Sequence, residues 1–150
     1  MMLIVRRISR GVADHFPIRV SEWVMVHPTF WMGVALMAQP DIFDSSPSFA
    51  ELARWADERV WSSIAILCAF IRFTALMVNG TFRGFTKSPH LRAFASFVGV
   101  AFWSQVTLGF AIAAGAGEGA WTAVAVHSTL LLLELVNVHR SFSDIGKSAR

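Results

Sequence analysis

The feature that most constrains this chain is an arginine inside an apolar run. Between Val60 and Asn79 the sequence reads Trp61, then Ser62 to Ile71, then Phe73 to Val78, with Arg72 about two-thirds of the way along. About 19 such residues form a helix of roughly 28 Å, enough to cross the hydrocarbon core of a bilayer. A cation at that depth costs roughly 2.5–3.5 kcal/mol on insertion scales unless something neutralises or hydrates it. The fold must therefore bring Arg72 a partner.

The rest of the composition suits a membrane. Over 150 residues, a single domain's length, 55% are hydrophobic and only 15% charged, outside the usual balance of a soluble domain. The thirteen Phe and six Trp supply bulky apolar surface and interfacial anchors. The net charge of +3 does not point to a nucleic-acid partner, because the Lys and Arg residues flank apolar runs and form no dense basic patch. Cys68 is the only cysteine, which excludes an intramolecular disulfide and a cysteine-cluster metal site.

Residues 1–20 do not span. Val5, Ile8, Val12 and Phe16 recur at helical spacing, with Arg6, Arg7, Arg10 and Asp14 largely on the other side. That pattern predicts an amphipathic helix in the membrane interface, its arginines towards anionic lipid headgroups and Pro17 ending it. The alternative is a frayed basic tail. Residues 23–38 form the first candidate span, weakened by His27 and Pro28 and without a clean signal-peptidase site. In the long connection 39–59, Ser48 and Glu51 fit a capping box opening a short amphipathic helix through Leu52 to Val60. Its carboxylates, Asp41, Asp44, Glu51, Asp57 and Glu58, read as a solvated acidic loop rather than a catalytic group.

Asn79 and Gly80 mark a turn after the second span, 60–79. The loop that follows holds Arg83, Lys87, His90 and Arg92 and no acid. The third span, 93–114, is rich in small residues: Ala95 with Gly99, and Gly109 with Ala113, are spaced to let helix backbones approach closely. Such spacing serves packing within one subunit or a homo-oligomer. The glycine-rich stretch 115–119 lacks a preceding strand and a Lys-Ser/Thr ending, so it reads as a tight turn rather than a phosphate loop. A fourth span, 121–138, carries His127 and Glu134, and residues 139–150 form a basic tail.

Outside the spans, Lys and Arg alternate in density, ten on one side and two on the other. The positive-inside rule then puts both termini and the 80–92 loop in the cytoplasm of a bacterial inner-membrane protein. Spans two and four become parallel. Arg72 lies eleven residues after Trp61 and Glu134 thirteen after Trp121, so the two fall within roughly 3 Å in depth. An Arg72–Glu134 ion pair is expected. Asn79, His127 and Asn137 share the faces of these two residues by helical spacing and predict a polar stripe. The stripe either locks helix register or lines a path for protons, ions or water.

The run Arg72 to Gly80, followed by Arg83 and then Ser88-Pro89-His90-Leu91-Arg92, resembles small four-helix membrane proteins of tailed bacteriophages and prophages. The resemblance implies an all-α, polytopic protein of the host inner membrane, and some such proteins are treated as holin-like lysis factors. The leading expectation is holin-like permeabilisation in host lysis by an oligomerising membrane protein; the alternatives are a non-lytic accessory binding a phage or host envelope protein, and a small ion or proton channel. No nucleophile, metal or nucleotide constellation points to an enzyme or a cofactor.

Overall fold

The computed structural model describes residues 13, 16–81 and 87–148, and within them all regular structure is helical. The expected interfacial helix over 1–20 lies mostly outside the described residues, as does Arg83. Four long helices follow: α1 (Val20–Ala38), α4 (Glu58–Thr81), α5 (Ser88–Gly115) and α6 (Trp121–Ser148). Two short helices, α2 (Ile42–Ser45) and α3 (Ala50–Ala53), flank a 3-10 turn over Pro47–Phe49 in the first connection.

Local chemistry sets these bounds. Pro89 sits at the start of α5, where a missing N–H costs nothing, and Gly117 takes φ +81° in the turn before α6. Pro28 leaves α1 continuous, with Thr29 Oγ1 donating to Met25 O (2.8 Å) in the same turn. Three helices are long and apolar enough to cross a membrane: Glu58–Asn79, Ser88–Gly115 and Trp121–Lys147. The first helix, which carries Glu22, His27 and Pro28, is not among them. Helix α6 continues through the segment expected as a tail, and α5 begins before the expected span and takes in Arg92.

Successive long helices alternate in direction. Gly33 of α1 meets Ser62 and Ile66 of α4, while Trp23 meets Phe73 at the other end (centroids 6.0 Å). Trp61 of α4 meets Phe102 of α5, and Phe110 of α5 stacks on His127 of α6 while Arg92 reaches Ser141. An up-down-up-down bundle results, so α4 and α6 run parallel. Its interior is filled by Met25, Trp61, Ala65, Phe102, Trp103 and Val106.

The first connection is a packed cap. Phe43 and Leu52 are buried, Trp61 Nε1 donates to Leu52 O (3.0 Å), and Glu58 Oε1 accepts from Phe43 N (2.9 Å). The capping box expected at Ser48 and Glu51 does not form. Ser48 Oγ instead donates to Glu118 O (3.1 Å), tying this cap to the α5–α6 turn, and Glu51 pairs with Arg54. Nor does one helix run from Phe49 to Val60, because Asp57 accepts from Val60 N (2.9 Å) and starts α4 there.

Candidate functional site: two buried charge clusters

Arg72 and Glu134 meet in the middle of the bundle. Arg72 Nη2 lies 2.5 Å from Glu134 Oε2 and also donates to Ala95 O on α5 (3.2 Å). The two side chains are only 4% and 0% exposed. The pair therefore fastens α4 to α6 and both to α5. Gly99 makes room for it: a Cβ there would overlap Glu134 Oε1 and stand 2.6 Å from Glu134 Cδ and 2.8 Å from Arg72 Nη2. Ala95 is buried at the same contact, as the acceptor of an Arg72 hydrogen bond.

The other small residues serve other neighbours. Gly109 faces Leu52 of α3, where a Cβ would meet Leu52 Cγ at 3.1 Å, and Ala113 sits under Gly119 of the turn. Ala95 and Gly99 thus admit side-chain charges, Gly109 admits the cap, and Ala113 admits the turn. Among the described glycines it is Gly33 that lies against another long helix's backbone, where its Cβ would stand 3.0 Å from Ser62 O and 3.1 Å from Ile66 N. Ser62 Oγ donates to Gly33 O (2.8 Å) at that crossing.

The expected polar stripe divides. Asn79 Oδ1 accepts from Ser88 Oγ (2.7 Å), joining the end of α4 to the start of α5. Asn137 is fully buried and accepts from Ser21 Oγ (2.7 Å), facing α1. His127 is held between rings, 4.5 Å from Phe110 with planes 12° apart and 5.8 Å from Trp103. Its Nδ1–H donates to Ala123 O (2.7 Å), since a carbonyl can only accept. Seven-residue spacing does place His127 on the Glu134 face of α6, but aromatic rings rather than polar groups meet it there.

A second cluster was not foreseen. Glu22 of α1 and Arg92 of α5 are each 1% exposed as residues and pair through two bonds, Nε to Oε2 (2.8 Å) and Nη2 to Oε1 (2.5 Å). Arg92 Nη1 also reaches Asp144 of α6 (3.1 Å), which Arg19 meets at 2.6 Å. Ser141 is fully buried beside Arg92. Among the described residues, two guanidiniums thus face two carboxylates. Seven residues of α5 separate Arg92 from Gly99, so this cluster lies roughly 10 Å along the bundle from the first. By sequence Arg92 falls in a loop and Asp144 in a tail, where charges are ordinary. The available signal was that Arg92, Ala95 and Gly99 share a helix face.

Between them the clusters reach all four long helices. Helix α6 shows the logic most plainly: its fully buried residues are Glu134, Asn137 and Ser141, while Trp121, Val126, Leu132, Leu135, Val136 and Phe142 face outward. Beyond Glu134, towards the cap, the bundle interior is Phe102, Trp103, Val106 and Phe110. Among the described residues no group of three His, Cys, Asp or Glu is placed to hold a metal ion. Comparison with known proteins finds no matching family, no matching curated protein and no matching solved structure.

Proposed function

We propose that this chain is a four-span protein of a bacterial inner membrane and acts as a non-lytic accessory, of phage or prophage type, that binds another envelope protein. Three helices have the length and apolarity to span. Helix α1, about 28 Å long, packs beside them in alternating direction and serves as the fourth. Arg19, Lys87, Arg140 and Lys147 lie towards the end of the bundle where α1 begins and α6 ends, which the positive-inside rule assigns to the cytoplasm.

One observation carries the choice of function: the charge clusters tie all four helices to one another inside the bundle. A lesion-forming holin must rearrange its helices, and each rearrangement here would strand a buried charge. The holin-like reading draws instead on the outward apolar face of α6, whose most apolar window is only 11% buried against 44% for α4 and α5. That face offers contact to lipid, to a second copy or to an envelope partner. A channel is disfavoured by the bulky aromatic filling of the interior between Glu134 and the cap, where Phe102, Trp103 and Phe110 pack with His127 stacked against them.

The test is induced expression in a bacterial host while membrane potential and culture density are followed. The accessory reading expects steady potential and growth with the protein confirmed in the membrane. An abrupt collapse of potential, with lysis when an endolysin is supplied, would overturn it in favour of the holin-like reading. A graded leak whose conductance changes in a membrane-inserted charge swap, Arg72→Glu with Glu134→Arg, would overturn it in favour of a channel.

A further inference from the structure

Helix α1 is the anomaly of this bundle. It is the one long helix not among those long and apolar enough to cross a membrane, and it carries Glu22, 1% exposed, in its first turn. A carboxylate there resists transfer into lipid. Its partner is not on the next long helix in sequence, α4, but 70 residues away on α5, where Arg92 grips it through two bonds. Among the described residues the closest pairs in this cluster are Glu22 with Arg92 and Arg19 with Asp144, and longer contacts link them, Arg92 to Asp144 (3.1 Å) and Arg19 to Glu22 (3.6 Å). The first pair joins α1 to α5, and the second joins the residue just before α1 to α6.

We propose that Arg92 is the device that seats α1 in the membrane: α1 enters or stays as a spanning helix only when α5 presents Arg92 to Glu22. This inference rests on the four-span reading above. Its physical content is that the Glu22 charge, unpaired, opposes burial of α1 in lipid, and the Arg92 guanidinium, which Asp144 and Ser141 also contact, neutralises it. Removing only Arg92 leaves Glu22 buried without its bidentate partner. Removing both charges leaves Arg19–Asp144 intact and gives α1 no carboxylate to neutralise.

The test uses the full chain with Cys68→Ser, so that a single cysteine reports, introduced as Ser45→Cys in the exposed part of the cap. A membrane-impermeant maleimide is added to intact cells whose outer membrane has been permeabilised. With the charge pair present, strong labelling supports a spanning α1 with the cap outside; no labelling would sink the four-span reading itself. Given that baseline, Arg92→Gln is expected to cut labelling at least fivefold at equal membrane content. Glu22→Gln alone, and Glu22→Gln combined with Arg92→Gln, are expected to restore it to within twofold of the starting protein. Full labelling of the Arg92→Gln chain would overturn the proposal, as would failure of the doubly neutral chain to recover.

Discussion

At the scale of single residues, the central pair depends on a hydrogen atom. Gly99 faces the Glu134 carboxylate, and even a methyl group there collides with it. Gly99→Ala should push the carboxylate off Arg72 and lower stability by up to about 3–5 kcal/mol, the range for stranding one member of a buried pair. A thermal melt in mild detergent checks this, with Gly115→Ala as the control, because open space surrounds that glycine. Arg72 and Glu134 could be paired from the sequence because each is the lone formal charge deep in its apolar run. Counting from Trp61 and Trp121 then put them at one depth. The second cluster could not be found that way. Glu22, Arg92 and Asp144 lie near the ends of apolar runs, where charged residues usually meet water, and only the helices' extension past those ends buries them. His127 misled for a related reason, since spacing gives a residue's face but not whether the facing side chains are polar or aromatic.

At the scale of elements, contacts made by small groups decide how the long helices cross. Helices α1 and α4 touch where Gly33 leaves no space for a side chain and Ser62 bonds back to its carbonyl. Gly33→Leu should separate them and cost well over the ~1 kcal/mol expected for Ser62→Ala, which removes one hydrogen bond. The start of α4 offers a sharper comparison. Asp57 accepts the Val60 N–H, so Asp57→Ala should lower stability by about 1 kcal/mol through loss of a cap. Ser48→Ala removes no cap, only an exposed tie to Glu118, and should cost less than half as much. Melts of the two variants side by side decide it. The capping-box motif was legible at Ser48 and Glu51, but Asp57 competes for the role nearer the long apolar run, and the longer helix prevails.

At the scale of the whole molecule, polar groups point inward and apolar ones outward along α6, the arrangement expected where the solvent is lipid. Direction along the bundle then places Ser45 and Glu118 at one end and Lys147 at the other. In a Cys68→Ser chain, Glu118→Cys should react with an impermeant maleimide from outside, and Lys147→Cys only after the inner membrane is opened. Alternation of basic and acidic connections is what gives this expected orientation; the first connection's burial as a cap was not legible in the sequence, because its packing partners, Phe110 and the α5–α6 turn, are far away in sequence. The central claim is that the bundle is closed around Arg72 and Glu134. A double-mutant cycle tests it most directly, comparing Arg72→Gln, Glu134→Gln and the combined variant by thermal unfolding in the same detergent. The account predicts a large loss for each single change and a combined loss well below their sum, because the doubly neutral bundle strands no charge. Additive losses, or a single variant as stable as the starting protein, would contradict it.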